Sequence, residues 1–162
     1  MAQAKDTTLP LFPNDDVERP AGEGSAMRLP LLMLMDGHAM VHRAYHAIQQ
    51  AMTVRSTGEE VRGVYGFTNA FLRALSDWNP THCAIAFDMS APTFRHKQFP
   101  EYKAQREATP EELRPQFGRV KQLMEAFGVA VFELEGWEAD DVIGTLSAQA
   151  EKMGLDSVIL TG

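Results

Sequence analysis

The chain has a single cysteine, Cys83, among 162 residues. No internal disulfide can form, which fits a reducing cytoplasm. No Cys/His set has zinc-ligand spacing, and no internal repeat is present. Long apolar runs are missing too. The longest before a charge, Leu29 to Met35, is far shorter than the ~20 residues of a membrane helix. The N-terminus lacks the basic-then-apolar layout of a secretory signal. Positive charge is also in deficit, with 15 Lys and Arg against 22 Asp and Glu, a net −7. Read alone, that total argues against a nucleic-acid partner.

What is present is an ordinary globular composition, 44% apolar and 23% charged, long enough for one domain with a real core. The charge is unevenly spread. Residues 89–121 hold seven Lys and Arg against four Asp and Glu, a local +3, whereas residues 122–162 hold one Lys against eight acids, a local −7. A basic segment beside an acidic site suits a metal-dependent enzyme acting on a polyanion, and it equally describes two solvated faces.

Residues 1–28 mix Pro, Ala, Gly, Asp and Glu without periodicity and read as a disordered extension. Leu31–Met35 reads as a buried strand ending at Asp36-Gly37. A helix is predicted over His38–Ala51, with Met40, Val41, Ala44, Tyr45 and Ile48 on its apolar side. Ser56-Thr57-Gly58-Glu59 marks a turn, and Val64–Trp78 a second helix ended by Asn79-Pro80. His82–Phe87 is the second strand, stopping at Asp88. Met89–Thr109 is basic and aromatic with no clean periodicity. Thr109 and Pro110 are predicted to open a helix that ends at Gly128, with Pro115 bending it or delaying its start. Val129–Leu134 is the third strand, Glu138–Met153 a helix closed by Gly154, and Ser157–Leu160 the fourth strand. Strands alternating with helices predict an α/β fold with a mostly parallel sheet flanked by helices.

In such a sheet, ligands bind outside the carboxyl ends of the strands. Asp36, Asp88 and the group Glu138, Asp140 and Asp141 each fall just after a predicted strand, so connectivity places them on one edge. Crowded carboxylates repel unless a cation sits among them, and oxygen donors suit Mg²⁺ or Mn²⁺. At a loop-to-helix junction, Glu138, Asp140 and Asp141 can be aimed at one point, through the i, i+2 relation before the helix and i, i+3 within it. Each acid also has a plain structural reading: Asp36 as a helix N-cap, Asp88 as a turn residue, and the last three as complements to a helix N-terminus.

Phe94-Arg95-His96-Lys97 and Tyr102-Lys103-Ala104-Gln105-Arg106 interleave rings with cations. Cations neutralise phosphates and rings stack on unpaired bases; alternatively, Phe94 and Tyr102 anchor a surface loop. His38, His42 and His46 share a helix face but lack the glutamate of a His-Glu-x-x-His zinc site. Arg43 is the better candidate for a phosphate contact, and Cys83 reads as a core residue.

Taken in order, Met35-Asp36-Gly37-His38, Val64-Tyr65-Gly66-Phe67, Ala86-Phe87-Asp88, Phe94-Arg95-His96, Tyr102-Lys103-Ala104-x-Arg106 and Glu138-Ala139-Asp140-Asp141-Val142 resemble a known family. From about Leu31 to Gly162 the chain is similar to the 5′-nuclease domain at the N-terminus of bacterial DNA polymerase I, related to flap endonucleases and PIN-like in fold. The resemblance implies a metal-dependent nuclease that cleaves DNA flaps and 5′ ends in replication and repair. It implies that Asp36, Asp88, Glu138, Asp140 and Asp141 bind Mg²⁺ or Mn²⁺, and that two cations serve in-line attack by metal-activated water. Lys103 and Arg106 would hold the scissile phosphate from an arch formed by residues 89–109. Tyr102, with Phe94, Arg95, Lys97 and Arg43, would contact the DNA.

In the family the fourth strand runs into an Asp-x-Asp pair, whereas this chain stops at Leu160-Thr161-Gly162. The resemblance therefore implies a portion spanning residues 29–162, truncated at its C-terminus and with an incomplete second metal position. It would be a cytoplasmic monomer without membrane contact, weak or inactive alone, and lacking any polymerase domain. The alternatives are a PIN-like ribonuclease and a non-catalytic DNA-binding remnant.

Overall fold

The four predicted strands form one parallel sheet in a computed structural model, which describes residues 30–99, 101–103 and 108–162. They are β1 (Leu31–Asp36), β2 (His82–Phe87), β3 (Ala130–Glu133) and β4 (Asp156–Leu160), in the order β3-β2-β1-β4. Register pairs Met33 with Cys83 and with Val158, and Ile85 with Val131. The expected disorder of residues 1–28 and the position of Arg106 lie outside the described residues.

Helices cover both faces, which is why β1 and β2 read as unbroken apolar runs. Met33, Met35, Ile85 and Phe87 pack with α1 (Gly37–Ala47), α2 (Arg62–Trp78) and α4 (Arg114–Ala126). Leu34, Ala84 and Ala86 face the opposite way, onto Ala139 and Ile143 of α5 (Ala139–Lys152). Cys83 is half-buried beside the first cluster, as expected of a core residue, and burial raises its thiol pKa. Among the described residues no helix is long and apolar enough to cross a membrane.

Several elements differ from the sequence reading, most of them by one or two residues and three by more. Helix α1 stops at Ala47 rather than Ala51, because the chain turns extended at Ile48, whose carbonyl accepts from Arg62 Nη1 at 3.4 Å. Residues 52–61 then fold back as a turn around Gly58, closed by Val61 N–H donating to the Met52 carbonyl. Helix α4 starts at Arg114, not Pro110, and Thr109 is not its cap. A helix begun at Pro110 would need an N–H from Pro115; starting at Arg114 puts Pro115 in the first turn, where no N–H is required. The basic segment contains a short helix, α3 (Phe94–Gln98), that periodicity did not reveal. Thr93 and His96 cap it, with Thr93 Oγ1 and His96 Nδ1 2.8 Å apart.

At the far end of α2, Asn79 holds a left-handed φ of 45°, and its N–H donates to the Leu75 carbonyl. Asparagine tolerates that conformation and alanine does not. Asn79→Ala should therefore cost about 1 kcal/mol, while Asn79→Gly stays near neutral, as read by thermal denaturation.

Candidate active site

Because all four strands are parallel, Asp36 at the end of β1, Asp88 after β2 and the start of α5 after β3 meet at one edge. There a cleft of about 360 Å³ is lined by Asp36, Asp88 and Asp140, with His38, His42 and Lys103 among its other walls. Asp36 caps α1, its Oδ1 accepting from Ala39 N–H at 3.0 Å. Asp88 Oδ1 accepts from Ala139 N–H at 2.7 Å, which ties the end of β2 to the first turn of α5. The N-cap reading of Asp36 therefore holds together with the convergence, whereas Asp88 is no turn residue and serves the first turn of α5 instead.

The charges in the cleft act on one another. Burial raises the Asp36 pKa, and the carboxylates of Asp140 and Asp88 push it further, against the Ala39 N–H. His38 Nδ1 accepts from Asp88 N–H at 3.1 Å, and its ring lies against Phe117 and Phe87 at 4.5 and 5.5 Å. Burial lowers the His38 pKa. Its role as the support under Asp88 was not visible in the sequence, because the two lie 50 residues apart.

The start of α5 divides its acids instead of aiming all three at one point. Asp140 faces the cleft, whereas Asp141 turns back to accept from Glu138 N–H at 3.0 Å in a capping box. Arg95 grips Asp141 with both guanidinium ends, at 2.6 and 2.7 Å, and holds the Asp141 carboxyl below its usual range. The same arginine reaches Glu138 at 3.5 Å. Lys103 Nζ and the Tyr102 hydroxyl donate to Glu138 at 3.0 and 3.1 Å.

The basic segment is thus docked onto α5. Phe94 packs on Trp137 with ring centroids 5.2 Å apart, and Phe94 N–H donates to the Gly136 carbonyl. Arg43 and Lys97 are exposed. Of the three α1 histidines, His38 and His42 line the cleft, His38 accepting from Asp88 N–H and His42 stacking on exposed His46. On the α4 side the cleft continues into a groove of about 680 Å³ lined by Thr109, Arg114, Phe117 and Lys121 among others.

Among the described residues no three His, Cys, Asp or Glu side chains form a ready metal-binding group. Two of the five candidate acids are neutralised by Arg95 and Lys103, and the remaining three repel. The donor set nevertheless fits a hard divalent cation: Asp36, Asp88 and Asp140 offer carboxylate oxygens around one cleft.

A parallel sheet covered by helices on both faces, with acids gathered at its carboxyl edge, is the α/β arrangement in which ligands bind at that edge. Residues 31–162 match the family described as 5′-3′ exonuclease, N-terminal resolvase-like domain, and the chain belongs to that family. DNA polymerase I of Chloroflexus aurantiacus is 48% identical over 136 residues, which cover 84% of this chain and 14% of the relative. The thermostable DNA polymerase I of Thermus aquaticus is 41% identical over 130 residues, 80% of this chain and 15% of the relative. The chain thus spans only 14–15% of the length of these relatives. In solved structures the fold is that of a bacteriophage T5 flap endonuclease complexed with DNA and metal ions, at TM-score 0.53 and 18% identity, covering 81% of this chain and 48% of that one. The T5 D15 protein crystallised with metal ions superposes at TM-score 0.58 and 19% identity over the same shares.

Proposed function

We propose that this chain carries the N-terminal part of a divalent-metal-dependent 5′-3′ exonuclease and flap endonuclease, serving DNA replication and repair. The observation that carries the reading is the meeting of Asp36, Asp88 and Asp140, from three separate chain segments, in one cleft beside Lys103. Those aspartates would hold Mg²⁺ or Mn²⁺, with Glu138 and Asp141 completing the set directly or through water. When bound, the cation supplies Lewis-acid polarisation of the phosphodiester and activation of the attacking water. Lys103 and Arg106 would grip the scissile phosphate. Arg43, Phe94, Arg95, Lys97 and Tyr102 would contact the flanking DNA, and the groove holding Arg114 and Lys121 offers a path for the strand.

On this reading the chain should bind one divalent ion and cut weakly or not at all. Mg²⁺ titration of ¹H–¹⁵N spectra should perturb residues 36–39, 88 and 138–141. Cleavage assays run in parallel on 5′-flap DNA and on RNA test the substrate class. Preferential RNA cleavage would point to the PIN-like ribonuclease. Flap binding that survives both Asp88→Ala and Asp140→Ala without any cutting would point to a DNA-binding remnant.

A further inference from the structure

Glu138 is the most enclosed acid of the edge, 5% exposed, and three donors converge on it from the basic segment. A carboxylate so buried requires a compensating charge. Its two cations are held differently. Arg95 is fixed by its two-pronged grip on Asp141 and also lies over the Phe94 ring at 4.6 Å. Lys103 is a single point charge paired with Glu138, and it also lines the cleft of Asp36, Asp88 and Asp140. Its backbone is in the left-handed region, φ 59°, a conformation unfavourable for a residue bearing a Cβ.

We infer that Lys103 is a resident counter-ion that a divalent cation displaces. In the metal-free chain its ammonium neutralises Glu138. With a cation held by Asp36, Asp88 and Asp140, Glu138 would turn from Lys103 toward the cleft, and the Lys103 ammonium, which lines that cleft, would be freed for a phosphodiester anion. The inference deepens the proposed nuclease reading and rests on it. It makes the phosphate-gripping lysine available only once the metal is in place. By linkage, whatever factor the lysine imposes on cation affinity, the cation imposes on the lysine's hold on Glu138.

The test compares Mn²⁺ binding by calorimetry, at fixed pH and salt, for the native chain, Lys103→Gln and Lys121→Gln. Lys121 carries the same charge close to His38 and Asp88 but pairs with Glu133. Lys103→Gln is expected to bind Mn²⁺ about tenfold tighter, and Lys121→Gln no more than about twofold tighter. In Mg²⁺ titrations the Lys103 side-chain ¹⁵Nζ resonance should move with the same midpoint as the cleft amides. Unchanged or weaker binding in Lys103→Gln, an equal gain in Lys121→Gln, or a static Lys103 resonance while the cleft amides respond would overturn the exchange. Absence of any Mn²⁺ heat and any Mg²⁺ spectral change in all three proteins would overturn the cation site itself, and the exchange with it.

Discussion

Gln116→Leu is expected to destabilise the fold by about 3 kcal/mol, lowering the melting temperature by roughly 10 °C. Gln116 lies on α4, is fully buried, and acts as the missing cap of another helix. At the start of α2, Val61 offers no side-chain hydrogen bond, so the first amides need an outside acceptor. Gln116 Oε1 accepts from Gly63 N–H at 2.8 Å and from Val64 N–H at 3.2 Å, while its Nε2 donates to the Glu112 carbonyl at 2.9 Å. Gly63 is needed for this approach, since a Cβ there would stand 2.8 Å from Oε1. Leucine matches the volume but strands the buried Gly63 donor, the part-buried Val64 donor and a carbonyl, the costly kind of polar loss. Urea and thermal denaturation measure the effect. Arg119→Ala breaks an exposed pair with Glu59, without any buried orphan, and should leave the transition in place. The same contact carries a functional consequence. Helix α4 follows the basic segment, and Gln116, with Tyr45 bonded to Glu112 at 2.6 Å, fastens that end of the segment to α1 and α2.

A glutamine on a polar-looking helix gives no sign that it caps a helix 52 residues away, and that is the general pattern of what the sequence hid. Strand ends were legible because apolar runs stop at Asp36 and Asp88, and parallel connectivity then fixes the edge they share. Asp140 followed from the same logic. The fates of Glu138 and Asp141 did not. Which acid faces the cleft depends on the residue at which α5 begins, and Asp141 is claimed by Arg95 from 46 positions upstream. The rings and cations of the basic segment were legible as a group, but not their division of labour. Phe94 packs on Trp137 and the Tyr102 hydroxyl donates to Glu138, contacts that composition alone did not specify. The cap of α3 uses histidine where the usual capping box has Glu or Gln, so the pattern Thr93-x-x-His96 gave no helix signal.

Asp36→Asn should make the metal-free protein more stable and the Mn²⁺-loaded protein less stable than the native chain. Asparagine caps helices as well as aspartate, so the bond to Ala39 N–H survives and the change isolates the charge. Burial, then Asp140 and Asp88, raises the folded Asp36 pKa above its ordinary 3.8. Its contribution to stability is fully present below 3.8 and is lost as pH rises through the raised folded value, so at neutral pH the ionised side chain weakens the metal-free fold. Removing that charge should raise the metal-free melting temperature by a few degrees, on the order of 1 kcal/mol, with no gain in acid. The cation reverses the order. A ligand at one hundred times its Kd stabilises the native state by ~2.7 kcal/mol, and the native chain should show that upward shift with Mn²⁺. Asp36→Asn should lose most of it, because one of three carboxylates lining the cleft is gone. Melting curves at neutral pH, with Mn²⁺ and with chelator, read both halves. A variant that keeps the whole Mn²⁺ shift would show that Asp36 caps its helix and does nothing more.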